Sequence, residues 1–264
     1  MNETAVPRPG GAGAALMSAL RGTGKALYDT YRLGGRTVTA APLILAIAIL
    51  PELAQHVVEI SLGMFHSLAD FRAHAADPLR MGFGYVKVAG FAIAILLTAR
   101  FWALGSVRAA LLVRPASLAR LVFAIALTLA ASFAFDWLAR QLPTMAIAVQ
   151  IASFLLQAGL TLYVVAVLLD DRGLTLAGAF TDRWPSAVVM TILLIAAFGP
   201  AQALHMANHK LVIGQAAPVV WAVMAFDGLF VGLFAALVGS ALYVGHRTGA
   251  SWRGWAGERV PNTL

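Results

Sequence analysis

Six long apolar runs, separated by short polar stretches, decide what this chain can become. Most come close to the roughly 20 residues that an α-helix needs to cross a bilayer. A backbone inside hydrocarbon must satisfy its own hydrogen bonds, so each run is helical. Only 12% of the 264 residues are charged and 60% are hydrophobic. A soluble domain carries about 25% charged residues, so a water-facing globule of this composition is excluded. The expected fold is all-α: a polytopic membrane protein with six transmembrane helices, preceded by an amphipathic interfacial helix.

Residues 1–12 are rich in Pro and Gly and read as a disordered tail. Residues 13–33 then alternate apolar and basic positions at helical spacing. Leu16, Leu20, Leu27 and Tyr31 share one face, and Gly34-Gly35 would cap the end. Arg21, Lys25, Arg32 and, beyond the helix, Arg36 would meet anionic lipid at the interface. Packing on the underside of the bundle is the alternative for this segment.

The spans are expected near Val38–Phe65, Phe83–Trp102, Leu121–Ala139, Met145–Leu169, Ala187–Met206 and Pro218–Val244. They form one domain over 38–245, between an N-terminal region 1–37 and a tail 246–264. The first helix is expected to continue to Asp77. At 1.5 Å per residue that is roughly 60 Å, about twice the hydrocarbon thickness. No internal duplication is evident.

Six spans place both termini on one side of the membrane. With the N-terminus inside, 14 of the 19 Lys and Arg fall in inner segments. That bias predicts a bacterial-type inner membrane protein with cytoplasmic N- and C-termini. The net charge of +7 then reports topology and anionic lipid, and no nucleic-acid partner is expected. The chain has no cysteine, which excludes disulfides, thiolate catalysis and Cys-ligated metal.

Function should lie where polar groups enter the apolar runs. At 100° per residue, Glu52, Gln55, His56, Glu59, Gly63, His66, Asp70, His74 and Asp77 fall on one side of a single helix. An ionised Glu in hydrocarbon needs water, a proton or a counter-charge. Asp227, within WAVMAFDGLFVGLF, has no charged neighbour on its own helix, and Gln150, Gln157, His205 or Lys87 are possible partners. Beside it, Gly228, Gly232, Ala235 and Gly239 form a small-residue face. Gln150 and Gln157 either join helices or line a cavity.

His205 and His209 lie one turn apart, a spacing that can bind zinc or copper if Glu59, His66 or Asp70 completes the set. No cofactor is predicted, and a divalent metal is admitted only on this two-ligand basis. No H-E-x-x-H, G-x-S-x-G or complete phosphate loop is present, so no catalytic set can be assigned and an enzyme is disfavoured. The favoured reading is an outward-facing polar cavity around Glu52, Gln55, His56, Glu59 and Asp227 that binds or passes a proton, a cation or a small polar solute. The alternative is an accessory subunit that holds a partner membrane protein or anionic lipids.

Overall fold

The computed structural model describes residues 12–251, with ten α-helices, α1 (Ala12–Ala40), α2 (Pro42–Ser61), α3 (Leu68–Ala73), α4 (Pro78–Leu104), α5 (Val107–Leu111), α6 (Pro115–Gln141), α7 (Ala146–Leu168), α8 (Leu176–Phe180), α9 (Trp184–Leu211) and α10 (Ala217–Ser251), and a short 3-10 helix at Pro143–Met145. Six of them (α2, α4, α6, α7, α9 and α10) are long and apolar enough to cross a membrane. The chain is therefore an all-α polytopic membrane protein. The expected 1–12 tail and residues 252–264 lie outside the described residues, apart from the first helical position of α1. The side chains of Leu16 and Leu20 lie outside them too.

Proline sets several boundaries. Pro42, Pro78 and Pro115 occupy the first turns of α2, α4 and α6, where a missing N–H removes no helical bond. Within helices, Pro51 and Pro200 strip the partner from the carbonyls four residues back, those of Ile47 and Ala196. The bundle supplies a new donor to the second. Tyr31 Oη donates to the Ala196 carbonyl at 2.7 Å. Gly90 of α4 lies so close to Ile47 that an added Cβ would sit 2.5 Å from its oxygen.

The expected continuous helix from Val38 to Asp77 is not formed. Ala41 breaks it at one end, and Val38 belongs to α1. At the other end Gly63 adopts φ +71°. Its N–H bonds the Ile60 carbonyl, and the Met64 N–H reaches back to Glu59, the paired bonds of a left-handed helix stop. Asp77 does not end a helix; it caps the start of α4 by accepting the amides of Leu79 and Arg80. Asp70 sits in α3 against Ser67, its capping partner.

Helix α1 also departs from expectation. It runs straight through Gly34-Gly35 to Ala40. Gly34 is a contact residue, since a Cβ there would lie 2.6 Å from Leu237 Cδ2 of α10. The buried stripe of α1 is Ala26, Thr30, Gly34 and Thr37, while Leu27 and Tyr31 lie exposed. The helix thus packs on the bundle along its small residues.

Helix α10 is the central element. Its glycine face meets α2 and α4: Gly228 against Leu53, Gly232 against Ile49, Gly239 against the Ile95 carbonyl and Thr98. Further along, Gly245 meets Met190 of α9. Helix α6 is peripheral and leans on α7. At the opposite end of the bundle from the 62–67 turn, Arg100 is buried. Its guanidinium donates to the carbonyls of Ala109, Ala110, Leu112 and Leu168, so one side chain closes the ends of α5 and α7.

Candidate functional site

Four helices bring their polar residues to one place. Glu52, Gln55, His56 and Glu59 follow the i, i+3, i+4, i+7 pattern on α2, which puts all four on one face. On α9, His205, Asn208 and His209 do the same over one turn. Asp227 comes from α10, while Arg80 and Lys87, two turns apart on α4, approach from the side. Glu52, Gln55, His56, Glu59, Asp227 and the three α9 residues are all between 0% and 9% exposed.

The contacts form a connected network. Lys87 Nζ donates to Glu52 Oε1 at 2.8 Å. Arg80 Nε donates to Glu59 Oε1 at 2.9 Å. His56 stands between the acids: its Nδ1 lies 3.1 Å from Glu59 Oε2, its Nε2 3.3 Å from Glu52 Oε1 and 3.2 Å from Asp227 Oδ2. Asp227 Oδ2 also lies 2.8 Å from His205 Nδ1 and 3.8 Å from His209 Nε2, and Asn208 Nδ2 donates to Oδ1 at 2.7 Å.

Charges are thus matched unevenly. Glu52 has Lys87 and Glu59 has Arg80, both with side chains 21% exposed at the margin. Asp227, fully buried, has imidazoles and one amide. Three atoms of the cluster make no hydrogen bond among the described residues: Glu52 Oε2, Gln55 Oε1 and His209 Nε2. Gln55 contributes only a 3.5 Å contact from Nε2 to the Arg80 carbonyl.

The cluster is closed rather than open. Phe65, in the turn after α2, packs its ring 6.1 Å from that of His209. With Val212, Val220 and Met224 it forms a small apolar core across that end of the bundle. Glu52, His56, Glu59 and Asp227 are only 0–2% exposed behind this apolar end.

Several residues expected at the site stand elsewhere. Gln157 donates to Ser132 Oγ at 2.8 Å and joins α7 to α6. With Gln150 and Asp136 it lines a separate cleft of about 290 Å³. Neither glutamine reaches Asp227, and Lys87 meets Glu52 instead. His66 is exposed in the 62–67 turn and is not grouped with His205 and His209; Asp70 is likewise absent from that group. Asn208 and Arg80 were not anticipated. Asn208 sits at helical spacing between two histidines, and Arg80 lies seven residues before Lys87, so each carried a faint periodic signal.

At the other end, Lys25 pairs with Asp29 at 2.8 Å, and Arg36 lies over the Trp102 ring, 5.9 Å from its centroid. Arg21 is exposed. Lys25, Arg32 and Arg247 line a cleft of about 370 Å³ between α1 and α10. Below it Asp171, between α7 and α8, accepts from His246 at 3.0 Å. That hydrogen bond, with the charge of Arg183, holds its carboxyl below the usual carboxylate range against the opposing effect of burial.

These features define the class: an integral membrane protein of six apolar helices, with an ionisable cluster buried between four of them. No family model matches the chain, and comparison with curated proteins and with solved structures finds no relative.

Proposed function

We propose that this protein binds a cation within the bilayer, at the cluster formed by Glu52, His56, Glu59, His205, His209 and Asp227. One observation carries the reading: Asp227 is fully buried, yet faces no Lys or Arg among its described partners. A carboxylate at membrane depth is retained only where positive charge or a proton meets it. A cation is favoured over a larger solute, because His56 lies 3.1–3.3 Å from Glu52, Glu59 and Asp227. The same arginine bias that predicts an inner membrane with cytoplasmic termini would place the cluster in the outer half. The Lys25/Arg32/Arg247 cleft would then face anionic lipid on the inner side.

The test is thermal unfolding of the detergent-solubilised protein across a panel of cations and a pH series, with Asp227→Asn in parallel. At least one cation or pH change should raise the wild-type midpoint and leave Asp227→Asn flat. Identical responses of the two proteins to every condition would end the proposal. Orientation is checked separately by single cysteines placed in the 103–114 and 62–67 turns, since the natural chain has none. Impermeant maleimide added outside whole cells should label the 62–67 turn.

A further inference from the structure

We infer that the cation is a divalent transition-metal ion of the zinc class, held by Glu52, His205, His209 and Asp227. The inference rests on the cation-binding reading of the same cluster and names its ligand. One potential ligand atom from each of these residues lies within 4.8 Å of every other, and all four residues are buried.

The donor set selects the metal class. Two imidazoles with two carboxylates suit zinc, cobalt and their neighbours, whereas calcium and magnesium take oxygen ligands. A tetrahedral ion with bonds near 2.1 Å sets its ligand atoms roughly 3.4 Å apart. The widest spacing therefore closes by at most roughly 1.4 Å, a movement within reach of side-chain rotation.

Two independent observations point into this set. Glu52 Oε2 and His209 Nε2 are buried without any hydrogen-bond partner, and they belong to two of the four residues. A single ion would satisfy both. The remaining contacts resemble the outer support of metal ligands. One such contact is Asn208, which donates to Asp227 Oδ1, while Glu52 Oε2 is left without a hydrogen bond. A second set, His56, Glu59 and His209, shares one histidine with the first. There, however, His56 Nδ1 and Glu59 Oε2 already pair at 3.1 Å and Arg80 occupies Oε1, so the first set is favoured.

Charge gives the inference its sharpest consequence. Three carboxylates face Arg80 and Lys87 in the closed cluster. A divalent ion balances those carboxylates with Arg80 alone, so Lys87 becomes surplus. Its side chain is 21% exposed and can withdraw to the margin. Lys87 is then a resident cation that competes with the metal for Glu52. Removing it should strengthen metal binding, the reverse of what loss of a structural ion pair would do.

The experiment is cobalt(II) titration of metal-stripped protein in detergent, followed by its visible absorption and by competition with zinc. Wild type should develop one saturable tetrahedral band per chain, which zinc abolishes. His209→Ala and Glu52→Gln should weaken binding on the order of 100-fold or more, beyond the loss typical of an outer-shell change. Lys87→Met should tighten it by roughly tenfold, the scale on which one adjacent charge alters a neighbour's affinity. His66→Ala should bind as wild type. No saturable band in wild type, a band that survives both ligand substitutions, or weaker binding by Lys87→Met would each overturn the assignment. Circular dichroism reports the folding of each variant; where a ligand variant does not fold, the wild-type titration and the sign for Lys87→Met decide. If cobalt and zinc do not bind while another cation or acid still acts through Asp227, the metal assignment falls and cation binding stands.

Discussion

Replacing Lys87 with methionine removes the ammonium that meets Glu52 Oε1 at 2.8 Å. Glu52 is fully buried, so its charge cannot turn to water. Breaking a buried pair by deleting one partner costs about 3–5 kcal/mol. The Lys87 end is partly wet, which argues for the lower limit, about 3 kcal/mol. The reverse change, Glu52→Gln, leaves an ammonium that can reach the margin, and should cost about 1 kcal/mol. The double variant holds two neutral side chains and should also cost about 1 kcal/mol. The single losses add to about 4 kcal/mol, so the coupling is about 3 kcal/mol. At roughly 2–4 °C per kcal/mol for a chain of this size, Lys87→Met should lower the unfolding midpoint by roughly 6–12 °C. Thermal unfolding in detergent with a chelator present measures all four proteins. A loss below about 1 kcal/mol for Lys87→Met, or a double variant equal to the sum of the singles, would show that Glu52 does not depend on this ion pair.

Arg100→Met should abolish stable folding or cost about 3 kcal/mol or more, because several buried carbonyls lose their donor. Arg100→Lys should not rescue it, since an ammonium cannot span both helix ends; size-exclusion profiles of the two variants check this. Gly239→Ala should destabilise by about 1–3 kcal/mol, as its Cβ would meet the Ile95 carbonyl at 2.5 Å. Gly82→Ala, with nothing within 4 Å, should stabilise by up to about 1 kcal/mol in the same unfolding assay. His246→Phe should remove the main cause of the lowered Asp171 pKa. A depressed carboxylate contributes stability above its unfolded value near 3.9 and loses it as pH falls below that. Unfolding followed from pH 6 down to pH 2 should therefore show a shallower acid loss in the variant, by no more than about 1 kcal/mol for this part-exposed group.

The stop after α2 shows where local reading could have gone further. Gly63 followed by apolar Met64 is a legible helix end, but the polar periodicity of 52–77 continued across it and pointed to one long helix. The glycines of α1 show the opposite case. Gly34-Gly35 looks like a cap, and only the nearness of Leu237 makes Gly34 a helix-packing position.

What the sequence determined by itself was every property with a local cause. Apolar run length requires six spans, because a backbone in lipid must bond within its own helix. Spacing along one helix puts Glu52, Gln55, His56 and Glu59 on a common face, and an isolated acid in an apolar run marks Asp227 as a residue in need of partners. Tertiary structure decided who those partners are. His56 meets Asp227 across 171 residues, and Lys87 meets Glu52 across 35. Such pairings depend on which helices lie side by side and at what height, which follows from glycine faces and turn geometry acting together. That is why Gln150 and Gln157, equally polar in sequence, stand on another face of the bundle.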